Sequence, residues 1–226
     1  MSPKKDSFHQ VEPKYITTEL EESGEIGEAS YGRFHGFLVC SMVLCGEIVA
    51  VAGDYSDYYH RQYDDQTEEM VEFTDRNYRT FLMRPAPPII SMPKSLNADS
   101  RKHLERAFEL FWADWASCAN RLRIVTEYLL DQLAIPRIAA KGKRYLDLAA
   151  RIELLKAARP GHDNLLNALR VVGNLGSHDG EVDFEVLLDC FEFLEEAMVE
   201  LLDRRREKMD ARAALLIQSR GKPALD

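Results

Sequence analysis

Apolar side chains recur at alternating spacings of four and three residues between positions 104 and 129, which is the periodicity of one helix face. This face holds Leu104, Phe108, Phe111, Trp115, Cys118, Leu122, Val125 and Leu129. The seven-residue period continues without interruption for about 25 residues. The spacing therefore predicts one long helix, or two nearly collinear helices, that stops at Ile135–Pro136.

Three further helices are predicted after Ile135–Pro136. The second covers apolar positions 145–155 and ends at Pro160–Gly161, and the third is capped by Asp163 or Asn164. The last begins near Asp183 and frays in the charged run 204–208. These segments predict a bundle of about four helices over residues 96–226.

The first 95 residues have a different pattern. β-Branched and aromatic residues punctuated by glycine predict three to five short strands, near 33–40, 46–52, 55–61 and 70–83. Four prolines between positions 85 and 93 cannot donate ladder hydrogen bonds and indicate a linker. We expect an α+β chain with a flexible arm at 1–14, a small β-rich module with its linker at 15–95, and the bundle at 96–226.

The charge of −9 over 226 residues excludes a uniformly basic surface of the kind that coats nucleic acid. Residues 100–170 are the exception, because 13 basic and 8 acidic side chains give them a net charge of +5. Four cysteines and no apolar run of about 18 residues argue against a disulfide scaffold or a membrane span. The sequence therefore predicts a cytoplasmic protein that does not contact a membrane.

Polar residues form a stripe along the third predicted helix. With Arg170 at 0° and 100° per residue, Asn174 falls at about 40° and His178 at about 80°. The full stripe comprises Asp163, Asn167, Arg170, Asn174, Ser177 and His178. Leu166 is the one large apolar residue on this face. The stripe requires a helix that continues through Gly173 and Gly176; if the glycines end the helix, the stripe bends at Asn174.

A guanidinium, a carboxamide and an imidazole on one helix face suit a phosphodiester. Arg170 would hold a phosphate oxygen, Asn174 would orient the ring, and His178 would exchange the 2′-hydroxyl proton that starts metal-independent RNA cleavage. This catalytic hypothesis needs no cofactor and no metal. The alternative interpretation is a solvated face whose histidine lies beside a turn.

The runs AxRLRIVTEYLLDQL (119–133), LxxRIELL (148–155) and LRVVGNLGSH (169–178) resemble an uncharacterised bacterial domain family that occurs alone or beside type I restriction subunits. That family is grouped with the HEPN superfamily of four- to five-helix domains. The similarity covers roughly residues 80–205, and CGEIVAVAGDY (45–55) resembles the segment that usually precedes the domain.

The resemblance implies a HEPN-like bundle and a homodimer, because active HEPN ribonucleases join two Arg-Asn-x-x-x-His motifs in one site. Asn174 and His178 match the motif, whereas Gly173 stands at its arginine position. We expect Arg170, one turn earlier, to supply the missing guanidinium. Arg123 and Glu127 match the Arg-x-x-x-Glu of the family's first helix and either pair on the surface or place Arg123 against the stripe.

Cys40 and Cys45, followed by Gly46, resemble one knuckle of a zinc ribbon. No second cysteine pair completes four ligands, since Cys118 and Cys190 fall at apolar helical positions and are predicted to lie in the core. His9, His35 or His60 would have to complete a zinc site. We expect a metal-free hairpin that keeps the shape of a degenerate zinc knuckle.

Three functions remain open from the sequence. The first is a metal-independent RNA endonuclease of prokaryotic defence or toxin type, which would act on RNA. The second is a non-catalytic adaptor that binds protein or nucleic acid in a defence or restriction complex. The third is a structural dimerisation domain. Similarity of fold does not decide among them, because unrelated functions share folds.

Overall fold

The computed structural model describes residues 1–16, 29–42, 44–64, 69–139, 142, 144–178 and 180–220. The chain divides into two compact units, Met1–Pro87 and Pro88–Asp226. Strands fill the first unit and helices fill the second. This arrangement confirms the predicted α+β class.

The first unit is a curled antiparallel sheet of five strands. They are β1 (Ser2–Pro3), β2 (His9–Val11), β3 (Ala29–Val39), β4 (Ile48–Asp64) and β5 (Glu69–Arg84). The order is β1-β3-β4-β5, and β2 also pairs with β3. The two strands expected near 46–52 and 55–61 are one continuous strand, β4, because Gly53 pairs within the sheet instead of ending it.

Residues 1–14 differ from the flexible arm that the sequence predicts. β1 and β2 extend the sheet along β3, and the Lys4 amide donates to the Phe37 carbonyl at 2.8 Å. The Phe8 ring stacks on Phe34, with 5.3 Å between ring centroids. Apolar contact and ladder hydrogen bonds thus fix a segment whose composition alone indicated disorder.

A charged pair lies inside this sheet. The Arg76 guanidinium on β5 donates through Nε and one terminal nitrogen to the two carboxylate oxygens of Asp57 on β4, each at 2.6 Å. Asp57 is buried, and the Arg76 guanidinium also lies 4.4 Å from the centre of the Tyr55 ring. The hydrogen bonds from Arg76 lower the pKa of Asp57 despite its burial.

The second unit opens with a helical hairpin. Helix α1 (Ala98–Ala113) and helix α2 (Trp115–Gln132) meet at Asp114, whose extended backbone (φ −158°) breaks the helix and whose side chain caps α2. The chain reverses at Asp114, as shown by the ring centroids of His103 on α1 and Tyr128 on α2, which lie 4.5 Å apart. The expectation of collinear helices is therefore wrong. Both helices bury the apolar residues of the stripe except Trp115, which is 44% exposed, so the spacing of apolar residues alone does not reveal the reversal.

Four more α-helices follow within the described residues. They are α3 (Leu148–Ala158), α4 (Asp163–His178), α5 (Phe184–Met198) and α6 (Arg205–Gln218), with a five-residue π-helix, Val199–Asp203, between the last two. α5 begins next to Asp183, as the sequence predicts, and the Asp183 side chain caps it. The charged run 204–208 does not fray, since Arg204 adopts a left-handed turn (φ 50°) and α6 begins after it with no buried residue. No helix among the described residues has both the length and the apolar character that a bilayer crossing requires.

The Asp57–Arg76 pair predicts a large difference between two arginine substitutions on the same sheet. Arg76→Met leaves the buried Asp57 carboxylate without its partner and should lower the free energy of unfolding by about 3 kcal/mol. Arg61→Met removes a matched but exposed pair with Glu72 and should cost less than about 1 kcal/mol. Urea denaturation at pH 7 measures both, and equal losses would contradict a structural role for the Asp57–Arg76 pair.

Candidate functional site

Helix α4 is continuous over the whole polar stripe. It begins at Asp163, whose carboxylate accepts from Lys156 at 2.9 Å, and it ends at His178. Gly173 and Gly176 both lie inside the helix, so the glycines do not bend the stripe at Asn174. The helical condition of the sequence hypothesis is therefore met.

The two glycines allow α4 to pack closely against α2. A Cβ atom on Gly173 would lie 2.5 Å from Cβ of Arg123 and 3.0 Å from the Ala119 carbonyl oxygen. A Cβ atom on Gly176 would lie 2.5 Å from the Ala116 carbonyl oxygen. All three distances are shorter than van der Waals contact, so no other residue type fits without moving the helices apart.

The buried face of α4 differs from the one the helical wheel suggests. Leu166, which the wheel places among the polar residues, is fully buried beside Leu169. Val171 and Leu175, which lie outside the polar stripe on the wheel, are 54% and 43% exposed. The contact with α2 sets the inward direction, and the polar stripe therefore runs along the edge of that contact.

A cleft of about 160 Å³ lies at this edge. It is bounded by α2, by α4 and by the N-terminus of α3, and its lining residues are Arg123, Asp147, Leu148, Ala149, Arg170 and Asn174. The structure thus brings together Arg170 and Asn174, two of the three predicted catalytic residues. It adds a second guanidinium, that of Arg123.

The sequence left two positions open for Arg123, a surface pair with Glu127 and a contact with the polar stripe, and Arg123 has both. Its terminal nitrogen donates to the Glu127 carboxylate at 2.6 Å, so the surface pair exists. Its side chain also passes over Gly173, within 3.1 Å of the position of a Cβ there, and reaches the cleft. Arg123 therefore occupies the space that a side chain at position 173 would need.

The Arg170 side chain lines the cleft. Its Nε donates to the Asn167 side-chain oxygen at 3.1 Å, and no acidic side chain among the described residues forms an ion pair with it. Asn174, one turn later on the same face, is exposed. A guanidinium with free donors beside an exposed amide can bind an oxyanion.

The remaining polar residues of the stripe have other positions. Ser177 donates its hydroxyl to the Gly173 carbonyl at 2.9 Å, and Asp163 pairs with Lys156 at the far end of the helix. His178 is the last residue of α4, and its side chain lies outside the described part of the structure. Eight residues separate its backbone from that of Arg170, which is about 12 Å along a helix axis.

The N-terminus of α3, which forms the third wall of the cleft, was not identified as part of a site from the sequence. Asp147 caps α3 by accepting from the Ala150 amide at 2.8 Å. Arg151, whose side chain is only 4% exposed, then fixes α3 to α2 by donating to Asp131 at 2.7 Å and to the Glu127 carbonyl at 3.2 Å. An aspartate before an apolar helical run is the one signal that marked this helix start in the sequence.

The cysteines fall into two groups. Cys118 and Cys190 are buried in the helical core, as predicted, and burial raises the pKa of the Cys190 thiol to about 11. Cys40 and Cys45 lie in the connection between β3 and β4, where the Cys40 amide donates to the Glu47 carbonyl at 2.9 Å. Within the described ranges, no three histidine, cysteine or acidic side chains gather closely enough to hold a metal ion.

Comparison with known sequences finds a family model that matches the region of the cleft. Residues 105–215 match the model of the family described as Domain of unknown function (DUF4145). This range includes all three helices that bound the cleft. Neither the curated proteins nor the solved structures contain a significant match to the chain.

The close helix contact predicts that a single methyl group disturbs the site. Gly173→Ala should lower the free energy of unfolding by about 1–3 kcal/mol, although alanine favours a helix by about 1 kcal/mol over glycine, because its Cβ meets Arg123 and a carbonyl oxygen. Asn174→Ala, at the adjacent exposed position, is the matched control and should change stability by less than about 0.5 kcal/mol. Thermal unfolding of both variants tests this; a Gly173→Ala protein more stable than wild type would disprove the close contact.

Proposed function

We propose that the helical unit is a metal-independent RNA endonuclease of prokaryotic defence or toxin type, acting in the cytoplasm. The observation that supports this proposal is the cleft in which Arg123, Arg170 and Asn174 meet. Two guanidinium groups and an amide are donors suited to the non-bridging oxygens of one phosphate. The cleft also belongs to the segment with the +5 charge, which favours a polyanion.

The proposed reaction uses the 2′-hydroxyl of the RNA as nucleophile. His178 accepts the 2′-hydroxyl proton, the 2′-oxygen attacks phosphorus, and the bond from phosphorus to the 5′-oxygen breaks. The leaving 5′-oxygen takes a proton from water or from His178 of a second copy, as the resemblance to dimeric HEPN ribonucleases implies. Arg170 and Arg123 hold the phosphate, and Asn174 orients the imidazole. The products are a 2′,3′-cyclic phosphate and a 5′-hydroxyl.

Gly173 at the arginine position of the motif is compatible with this proposal. Position 173 faces α2 and has no room for a side chain, so an arginine there would require a wider helix contact. Arg123 brings a guanidinium to the same region from α2. Arg123 and Arg170 together thus replace the motif arginine from two neighbouring positions.

A second candidate is a non-catalytic adaptor in a defence or restriction complex. The exposed apolar residues Val171 and Leu175 favour it, because they lie on α4 next to the cleft and would add protein-binding area beside an anion site. An adaptor would bind RNA or a protein partner through the same arginines and leave it intact. His178 would then have no chemical role.

The endonuclease proposal predicts cleavage of single-stranded RNA in the presence of EDTA. His178→Ala should reduce the rate by about 10²–10⁴-fold, the usual contribution of a general acid–base group. Arg170→Ala should weaken RNA binding, whereas Arg106→Ala, an exposed arginine paired with Glu109 on α1, is the charge-matched control and should leave both binding and cleavage unchanged.

Gel analysis of the products with end-group determination distinguishes the candidates. Wild-type protein that binds RNA through Arg170 yet produces no 2′,3′-cyclic phosphate would contradict the endonuclease and support the adaptor. Wild-type protein whose RNA affinity is unaffected by Arg170→Ala would contradict the endonuclease and an RNA-binding adaptor, because neither could then bind RNA in the cleft.

A further inference from the structure

Strand β5 forms one end of the described sheet, and it is long and exposed. It has 16 residues, it pairs with β4 along its length, and every side chain from Glu69 to Arg79 is exposed. No other strand among the described residues pairs with its second edge, whose backbone donors and acceptors are therefore available within this part of the chain. Such an edge is a template for another strand.

Proteins usually protect long edge strands with proline, lysine or a covering element. β5 contains neither proline nor lysine. It exposes three aromatic side chains by 44–49% each, namely Phe73, Tyr78 and Phe81. The composition is that of a strand that pairs, because aromatic side chains stabilise cross-strand contacts.

The charges of β5 are self-complementary. Its first half is acidic and its second half basic, in the order Glu69, Glu72, Asp75, Arg76, Arg79 and Arg84. Two copies of the strand placed antiparallel bring each acidic half next to the basic half of the other copy. A parallel arrangement would place like charges side by side.

The side-chain alternation selects one register. Residues opposite each other in an antiparallel pair lie on the same face, so a two-fold axis at Asn77 places Asp75 opposite Arg79 of the second copy, twice. Axes at Asp75 or Arg79 would place identical charges in contact. Asn77 is also next to the midpoint of β5, so this register pairs nearly the whole strand.

We propose that two copies of the chain join their sheets through β5, antiparallel and centred on Asn77. The interface belongs to Met1–Pro87 and does not depend on the function proposed for the helical unit. Backbone hydrogen bonds supply the pairing, and the two Asp75–Arg79 contacts set the register.

Disulfide formation tests the register directly. Asn77→Cys, in a chain with Cys40→Ser and Cys45→Ser, places two thiols opposite each other across the axis, at a distance that a disulfide can span. Glu72→Cys on the same strand is the matched control, because its two copies would lie about 33 Å apart. Mild oxidation of the full chain should link Asn77→Cys into a covalent dimer at least tenfold faster than Glu72→Cys.

The charges provide a second arm of the same experiment. Arg79→Asp in the Asn77→Cys chain should slow disulfide formation at least tenfold, and addition of Asp75→Arg should restore the rate by exchanging the two charges. Equal rates for Asn77→Cys and Glu72→Cys, or no restoration by the charge exchange, would overturn the proposed pairing. A dimer formed through the helices does not imitate these results, because it does not align Asn77 with its counterpart.

Discussion

The close contact between α2 and α4 at Gly173 and Gly176 determines the rest of the site. Because neither glycine leaves room for a Cβ, the two helix backbones approach until carbonyl oxygens of α2 line the surface of α4. This approach places the Arg123 side chain over Gly173 and turns Arg170 and Asn174 to the same edge. The glycines thus cost helix stability and supply the geometry that makes a two-arginine cleft possible.

The cleft also depends on a polar network behind it. Arg151 joins α3 to the C-terminal half of α2 through Asp131 and two backbone carbonyls. Arg137 holds the same Asp131 carboxylate from the following loop, and its hydrogen bond lowers the pKa of Asp131. A buried arginine with three acceptors fixes the start of α3, so the third wall of the cleft has a defined position.

The sequence predicted element types better than it predicted how the elements meet. The seven-residue period identified the helical segment at 104–129, but α1 and α2 both bury that stripe except for Trp115, and only the Asp114 cap marks the reversal between them. The wheel placed Arg170 and Asn174 on one face correctly. It misplaced Leu166, which is buried. The inward direction of α4 is set by its contact with α2, and the spacing of residues within α4 carries no information about that contact.

The position of Arg123 shows the same limit of prediction from sequence spacing. Its pairing with Glu127 followed from their spacing of four residues, whereas its place over Gly173 depends on a contact between residues 50 positions apart. The edge strands β1 and β2 were likewise missed, because ladder pairing to β3 compensates for their polar composition. Long-range packing therefore accounts for most of the differences between expectation and structure.

The central claim is that Arg123 and Arg170 bind one anion together. Titration of the protein with a phosphodiester dinucleotide, followed by NMR of the arginine Nε–H groups, measures this directly, with Arg137 as the internal reference because Asp131 already holds it. The account predicts that the Arg123 and Arg170 signals shift together with one dissociation constant while Arg137 remains unchanged. Separate dissociation constants for the two arginines, or no shift of either, would contradict it.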